Sequence, residues 1–115
     1  MKIRFVIAIL GLTITGCLDY TPGVCKNTCE KLYEPDQCGI QRPGQTTEDL
    51  LERCEAECAS AFSQGGSIGE YDPNEQTPFS ESPVLENRSQ VRAWADCVES
   101  RSCEDLEQNY CAPVW

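Results

Sequence analysis

The chain has no histidine, and so lacks the side chain that most often serves as general base, proton shuttle and metal ligand near neutral pH. Ser-His-Asp and Cys-His catalysis are thereby excluded. No apolar run approaches the roughly 20 residues that carry a helix across about 30 Å of hydrocarbon. The cysteines never stand as Cys-x-x-Cys, the spacing of a thioredoxin-like redox centre. There is no glycine loop of the kind that cradles phosphate. Positive charge is scarce: nine Lys and Arg face nineteen Asp and Glu, a net charge of −10. Such a chain lacks the clustered cations that nucleic acid requires, and anionic lipid repels it. The acids are spread along the sequence, as on a solvated surface that keeps a small protein soluble. Carboxylate pairs will arise among them by chance, but so small a domain has little room for a deep catalytic cleft. Neither an enzyme nor a resident cofactor is expected.

What is present begins with an address. Lys2 and Arg4 are followed by an almost unbroken apolar run from Phe5 to Ile14, too short to span a bilayer and of the length found in secretory signals. Ile14-Thr15-Gly16 then leads directly into Cys17. This order of charge, apolar core and box resembles the precursors of bacterial lipoproteins, whose lipobox runs from an aliphatic residue through small residues to cysteine. The resemblance covers residues 1 to 17. It implies cleavage before Cys17, diacylglycerol on its thiol and a further acyl chain, such as palmitate, on its new amine. Several chains would anchor stably, since one myristoyl chain binds only marginally and each buried methylene adds about 0.8 kcal/mol. In enterobacterial lipoproteins an Asp directly after the lipidated cysteine marks inner-membrane retention. Here Leu18 follows and Asp19 comes second, so the resemblance implies the outer membrane, at its periplasmic face or the cell surface. Residues 1 to 16 are then a signal peptide, 17 to 21 a lipidated tether, and 22 to 115 the working domain, carrying about −12 once Lys2 and Arg4 are gone.

With Cys17 assigned to lipid, eight of the nine cysteines remain: Cys25, Cys29, Cys38, Cys54, Cys58, Cys97, Cys103 and Cys111. An even set in a short exported chain reads as a disulfide framework. Placing Cys17 inside the fold would instead leave one thiol free to exchange in an oxidising compartment. Bridges are also needed, because a core this small rarely supplies more than about 3–5 kcal/mol and each native disulfide adds about 2–4 kcal/mol.

Along the domain, Thr21-Pro22 opens a helix as hydroxyl cap and first-turn proline, placing Cys25, Cys29 and Leu32 or Tyr33 on one face. It should stop near Glu34, ahead of Pro35. After a loop through Cys38 and Pro43-Gly44, Thr46 or Thr47 caps a second helix, with Glu48 and Asp49 at the positive end of its dipole. Its apolar stripe is Leu50 or Leu51, Cys54, Cys58 and Ala61 or Phe62. From Gln64 to Ser82 the composition turns to Gly, Pro and polar residues without apolar period, an exposed loop. Ser82-Pro83 restarts a helix whose buried stripe is Val84 or Leu85, Val91, Trp94 or Ala95, and Val98, interrupted by Arg88, with Trp94 as core anchor. Ser102-Cys103-Glu104-Asp105 resembles a capping box and opens a short helix ending around Asn109. No segment alternates as a strand does. The fold class is all-α, a small disulfide-stapled bundle of three longer helices plus a short C-terminal one.

The first two helices each carry Cys-x-x-x-Cys, which sets both thiols on one face. Laid antiparallel, such helices resemble the twin Cys-x-x-x-Cys hairpins of plant α-hairpinin peptides and of small mitochondrial intermembrane chaperones, an architectural match over residues 25 to 58. The resemblance implies Cys25–Cys58 and Cys29–Cys54, and carries no function across. Cys38, Cys97, Cys103 and Cys111 allow three pairings, among which sequence does not choose.

The two motifs could alternatively offer four thiolates to zinc, against which stand export and oxidation. Glu70, Asp72, Asn74, Gln76 and Glu81 only faintly follow a calcium loop, with Glu at the first position and Glu75 where glycine is needed. Asn87-Arg88-Ser89 fits a glycosylation sequon by coincidence, and Trp115 is expected to pack on the helices. The chain thus reads as a membrane-anchored, Cys-rich, non-enzymatic binding or structural module. Its membrane contact is through Cys17, an unknown protein is its possible partner, and nucleic acid is not. The alternatives are a small inhibitor or effector acting through the loop at 64 to 82 and a metal or thiol-redox protein.

Overall fold

Pro22 has no amide hydrogen and so leaves one fewer open donor where a helix starts. In the structure, a computed structural model that describes residues 22–115, helix α1 follows it at Gly23–Tyr33. Pro22 occupies the cap position itself, with no side-chain cap, and its carbonyl accepts from Cys25 N at 3.0 Å and Lys26 N at 3.1 Å. The expected first-turn proline is therefore displaced by one residue. Thr21, Cys17 and the leader lie outside the described residues. α1 ends where expected, Glu34 turning extended before Pro35. Cys38 N and Ile40 N then donate to the free carbonyls of Lys31 and Leu32.

Helix α2, Thr47–Phe62, opens on a complete capping box: Asp49 N donates to Thr46 Oγ1 at 3.0 Å and Thr46 N to Asp49 Oδ2 at 3.1 Å. Leu50, Cys54, Cys58 and Ala61 are its buried residues, one stripe at helical spacing. α3 runs Arg88–Ser100 and α4 Cys103–Glu107. The described residues contain four helices, three of them long, and no strand.

Two boundaries depart from expectation. α3 begins at Arg88 rather than at Pro83, because Asn87 caps it: Gln90 N donates to Asn87 Oδ1 at 3.0 Å, and Glu86 N donates back to Gln90 Oε1 at 2.7 Å. Arg88 therefore opens the helix instead of interrupting its stripe. Its Nε donates to Phe62 O at 2.9 Å and its guanidinium lies 4.8 Å from the Phe62 ring centre. Leu85 is buried from the preceding extended segment, and Val84 points out, 64% exposed. α4 ends at Glu107, because Asn109 turns left-handed at φ 71°.

The three long helices pack on one another around Trp94, with Leu32, Tyr33, Leu50, Val91, Val98 and Leu106 fully buried beside it. Each such side chain contributes about 1.5–3 kcal/mol by leaving water. α3 has no basic residue in its last turn; α1 supplies one. Lys31 Nζ donates to the carbonyls of Val98, Glu99 and Arg101 at 2.6, 2.9 and 3.1 Å, placing a cation at the negative end of the α3 dipole.

Candidate functional site

The cysteines divide the molecule. Cys25 is bonded to Cys58 and Cys29 to Cys54, with Cα–Cα distances of 5.6 and 5.9 Å, and all four residues are at 0% exposure. The partner of the earlier cysteine in α1 is the later one in α2, so the helices run antiparallel as a two-rung ladder, the arrangement that the twin-motif resemblance implies. Of the three pairings open to the other four, the structure has Cys38–Cys103 and Cys97–Cys111. All eight cysteines of the described domain are thus disulfide-bonded, and in that form the sulfurs of Cys25, Cys29, Cys54 and Cys58 present no thiolate to a metal. Among the described residues no group of three or more Cys, Asp or Glu is placed to hold a metal ion. Within the calcium-like stretch, Asp72 Oδ1 accepts from Asn74 N at 3.0 Å. No described helix is long and apolar enough to cross a membrane.

The segment after α2 is irregular but fixed. Its first part is tied to the start of α3: Asn87 Nδ2 donates to Ser67 O at 2.8 Å, Ser89 Oγ to Gly66 O at 2.7 Å and Arg88 N to Gln64 O at 2.9 Å. The approach is close enough to need glycine, since a Cβ at Gly66 would lie 2.9 Å from Asn87 Nδ2, with the backbone at φ 148°. Asn87, read as a coincidental sequon on a helix, is thus the residue that joins cap to loop.

The second part is clamped to the C-terminal segment. Tyr71 Oη donates to Ala112 O at 2.7 Å, Cys111 N to Pro73 O at 2.8 Å, and Gln76 Nε2 to Gln108 O at 2.9 Å. Thr77 N donates to Asn109 O at 3.1 Å, while Asn109 Nδ2 returns a bond to Thr77 O at 2.9 Å. Asn109 and Cys111 hold φ values of 71° and 58°, conformations that cost an L-residue roughly 1–2 kcal/mol each and cost Asn less. Cys97–Cys111 holds the second of them in place.

The same C-terminal segment is pinned from the core. Trp94 Nε1 donates to Pro113 O at 3.0 Å, and Trp94 meets Trp115 edge to face at 5.9 Å between ring centres. Trp115 is half-buried there. Tyr33 Oη donates to Trp115 O at 2.8 Å. Burial raises the Tyr33 phenol well above its ordinary range, against the opposing pull of Arg42 and Arg53. Burial raises Tyr71 likewise, and the Asp72 carboxylate adds to it. Both phenols remain donors well into alkaline solution.

Between the clamped loop and this C-terminal segment lies a cleft of about 310 Å³. Phe79, Pro83 and Val84 form one wall and Val114 and Trp115 another, with Arg42 and Arg53 at the side. Phe79 is 71% exposed and Val84 64%, the two most exposed large apolar side chains among the described residues. Phe79 stands in no periodic pattern, and Val84, expected with Leu85 as alternatives for a buried helical stripe, is instead the exposed one of the two. No protein-family model, curated protein or solved structure matches the chain.

Proposed function

We propose that the protein is a lipid-anchored, Cys-rich bacterial lipoprotein whose domain is a non-enzymatic binding or structural module, held through acyl chains on Cys17 at the outer membrane. The observation that supports this reading best is the completeness of the disulfide set. Eight cysteines pair among themselves, which leaves the lipobox Cys17 as the ninth and the one with a different task. The module lacks histidine, and its scaffold displays an irregular segment of the kind on which binding functions concentrate. Intact-mass measurement of the native protein tests the anchor. The expected mass is that of residues 17 to 115 with diacylglycerol, an N-acyl chain and four disulfides. A retained leader or an unmodified Cys17 would reject the proposal.

A second reading, a small inhibitor or effector of another protein, is favoured by the clamp on residues 71–77 and the outward Phe79. Affinity capture with the intact chain and with residues 78–82 replaced by a short glycine linker separates the two. Loss of a bound protein only in the replaced form supports an effector acting through this loop.

A further inference from the structure

The ladder fixes which parts of the molecule share an end. Cys25 lies against Cys58 and Cys29 against Cys54, so the start of α1 is level with the end of α2. Lys31, late in α1, reaches the last carbonyls of α3, so α1 and α3 run in the same direction and their starts lie together. Pro22, Phe62 and Arg88 mark one end of the bundle, and Glu48, Asp49, Glu99 and Glu104 mark the other.

Five residues of sequence lead from Cys17 to Pro22, a reach of at most about 18 Å. With acyl chains on Cys17, the Pro22 end is held within that distance of the headgroups. Contact there is intramolecular, so a weak attraction suffices.

The two ends differ in charge. At the Pro22 end Phe62 is half-buried, and the exposed Arg88 and Arg92 both lie over its ring, at 4.8 and 5.5 Å. Neither ion pair among the described residues involves them. Ile68, 39% exposed, stands on the loop tied to the first turn of α3. Glu70 and Glu86 flank these elements in sequence, Lys26 is paired with Glu30, and Glu55 and Glu57 stand back by more than a turn along α2. Cations and acids nearly balance here. At the far end the exposed Asp36, Glu48, Asp49, Glu99, Glu104 and Glu107 outnumber Lys31, Arg42 and Arg53, and Arg101 is paired with Asp105. An anionic leaflet repels the far end and accepts the near one. Guanidinium groups pair with phosphate, and the apolar body beneath them suits the boundary between headgroup and acyl chain.

We infer that the tether end of the domain, Phe62 with Arg88 and Arg92 stacked on it and Ile68 beside α3, is a membrane-docking face that seats on the phospholipid headgroups of the leaflet holding the anchor. The inference rests on the lipoprotein reading and adds an orientation to it: the far end and its acids point away from the membrane.

The test uses the full mature chain in nanodiscs of equal parts phosphatidylcholine and phosphatidylglycerol, some of whose headgroups carry a nitroxide, and measures broadening of the amide signals. Anchoring is through the native lipid or, if intact mass shows Cys17 unmodified, through its thiol coupled to a maleimide lipid. Failure of the anchor and failure of the docking face are thereby separate results. Broadening is expected at residues 22–26, 62–68 and 88–92, and not at 34–36, 48–49 or 99–107.

Attachment alone would also bring Pro22 near the headgroups. A second chain therefore carries about 20 Gly and Ser residues inserted between Thr21 and Pro22, enough for either end to reach the surface. The same residues should be broadened in it, less strongly. Arg92→Gln in this lengthened chain, checked for four disulfides by mass, should lower the docked-to-free ratio about fivefold, the factor for one cation at an anionic surface. Even broadening of both ends in the lengthened chain would overturn the inference. So would a pattern centred on Phe79 and Val84, or one that Arg92→Gln leaves unchanged.

Discussion

The ladder between α1 and α2 and the clamp between residues 71–77 and 108–112 are two answers to one shortage, a chain too small to hold itself by its core. In the ladder, covalent rungs lie at 0% exposure inside an apolar stripe, so bridge and burial act on the same residues. In the clamp, individual hydrogen bonds join groups more than 30 residues apart, three of the five donated by side chains, and its one covalent tie, Cys97–Cys111, holds the buried Cys111 between them. The first arrangement resists opening as a unit. The second stays shaped only while each bond is kept, which suits a surface that must be both exposed and fixed.

The residue that couples the two is Trp94, and its loss is the largest expected effect. Trp94→Ala removes a fully buried side chain, the edge contact with Trp115 and the donor to Pro113 O together. A cost of about 3–5 kcal/mol is expected, comparable with the whole core contribution of so small a domain. Denaturant unfolding should show both regions lost at once. If the helices unfold at an unchanged midpoint, Trp94 does not join them.

Next in size, Cys25→Ala with Cys58→Ala opens one rung that spans 33 residues. With Cys29–Cys54 kept, the loop that this rung closes in the unfolded chain shrinks to about ten residues, so about 2–3 kcal/mol is expected from its restored freedom. Because Cys29–Cys54 still joins the same helices, the pairing should survive in the folded state, with helical circular dichroism unchanged in cold buffer. The clamp breaks more cheaply. Asn109→Ala removes the bond to Thr77 O and puts alanine in the left-handed region, for about 1–2 kcal/mol. Hydrogen exchange should accelerate at Thr77 and Cys111 while the α1 and α2 amides keep their protection. Equal acceleration throughout would mean that ladder and clamp are one cooperative unit.

How much of this could be read in the sequence follows the same division. The first two helices, the stop of the first before Pro35 and a start of the second at Thr46 or Thr47 were legible, because apolar period, proline and capping residues act on neighbours in the chain. Ser82-Pro83 satisfied the same start rule and misled, since Asn87 three residues before Gln90 is an equally good capping pattern. What decides between them is Asn87's further bond to Ser67 O, and nothing local encodes a contact 20 residues away. The clamp's acceptors are all backbone carbonyls, which every residue possesses, and its side-chain donors Tyr71, Gln76 and Asn109 stand in no periodic pattern, so nothing in the sequence marked it. The pairing of Cys38, Cys97, Cys103 and Cys111 was hidden for the same reason, because it depends on how the C-terminal segment lies across α3. Phe79 and Val84 could be found only by exposure.

Alkaline solution weakens the two regions through one phenol each. Tyr33 and Tyr71 titrate above their ordinary range because burial disfavours the phenolate. For a group held neutral in this way the folded pKa exceeds the unfolded one, so its contribution is fully present below about pH 10 and is lost as pH rises toward the folded value. Stability should therefore fall above pH 10. Tyr33→Phe and Tyr71→Phe should each cost about 1 kcal/mol at neutral pH, the worth of one hydrogen bond, and flatten that fall. An alkaline slope unchanged in the Tyr71→Phe variant would show that its bond to Ala112 opens before it titrates.

The mildest way to set the regions apart is reduction. Cys38 and Cys103 are both half-buried, whereas the other six disulfide cysteines are at 4% exposure or less. Thiol–disulfide exchange needs the attacking thiolate to reach a sulfur along the S–S axis, so access orders the rates. A brief pulse of dithiothreitol followed by alkylation should label Cys38 and Cys103 first. The dithiol is oxidised as one disulfide becomes two thiols, and the ladder and Cys97–Cys111 stay intact. Helical signal should be unchanged, since the freed bond ties the loop after α1 to the start of α4 and both rungs of the ladder remain. Labelling of Cys25 or Cys29 first, or loss of all four bonds in one step, would show that the ladder opens as readily as the surface, and that burial is not what separates them.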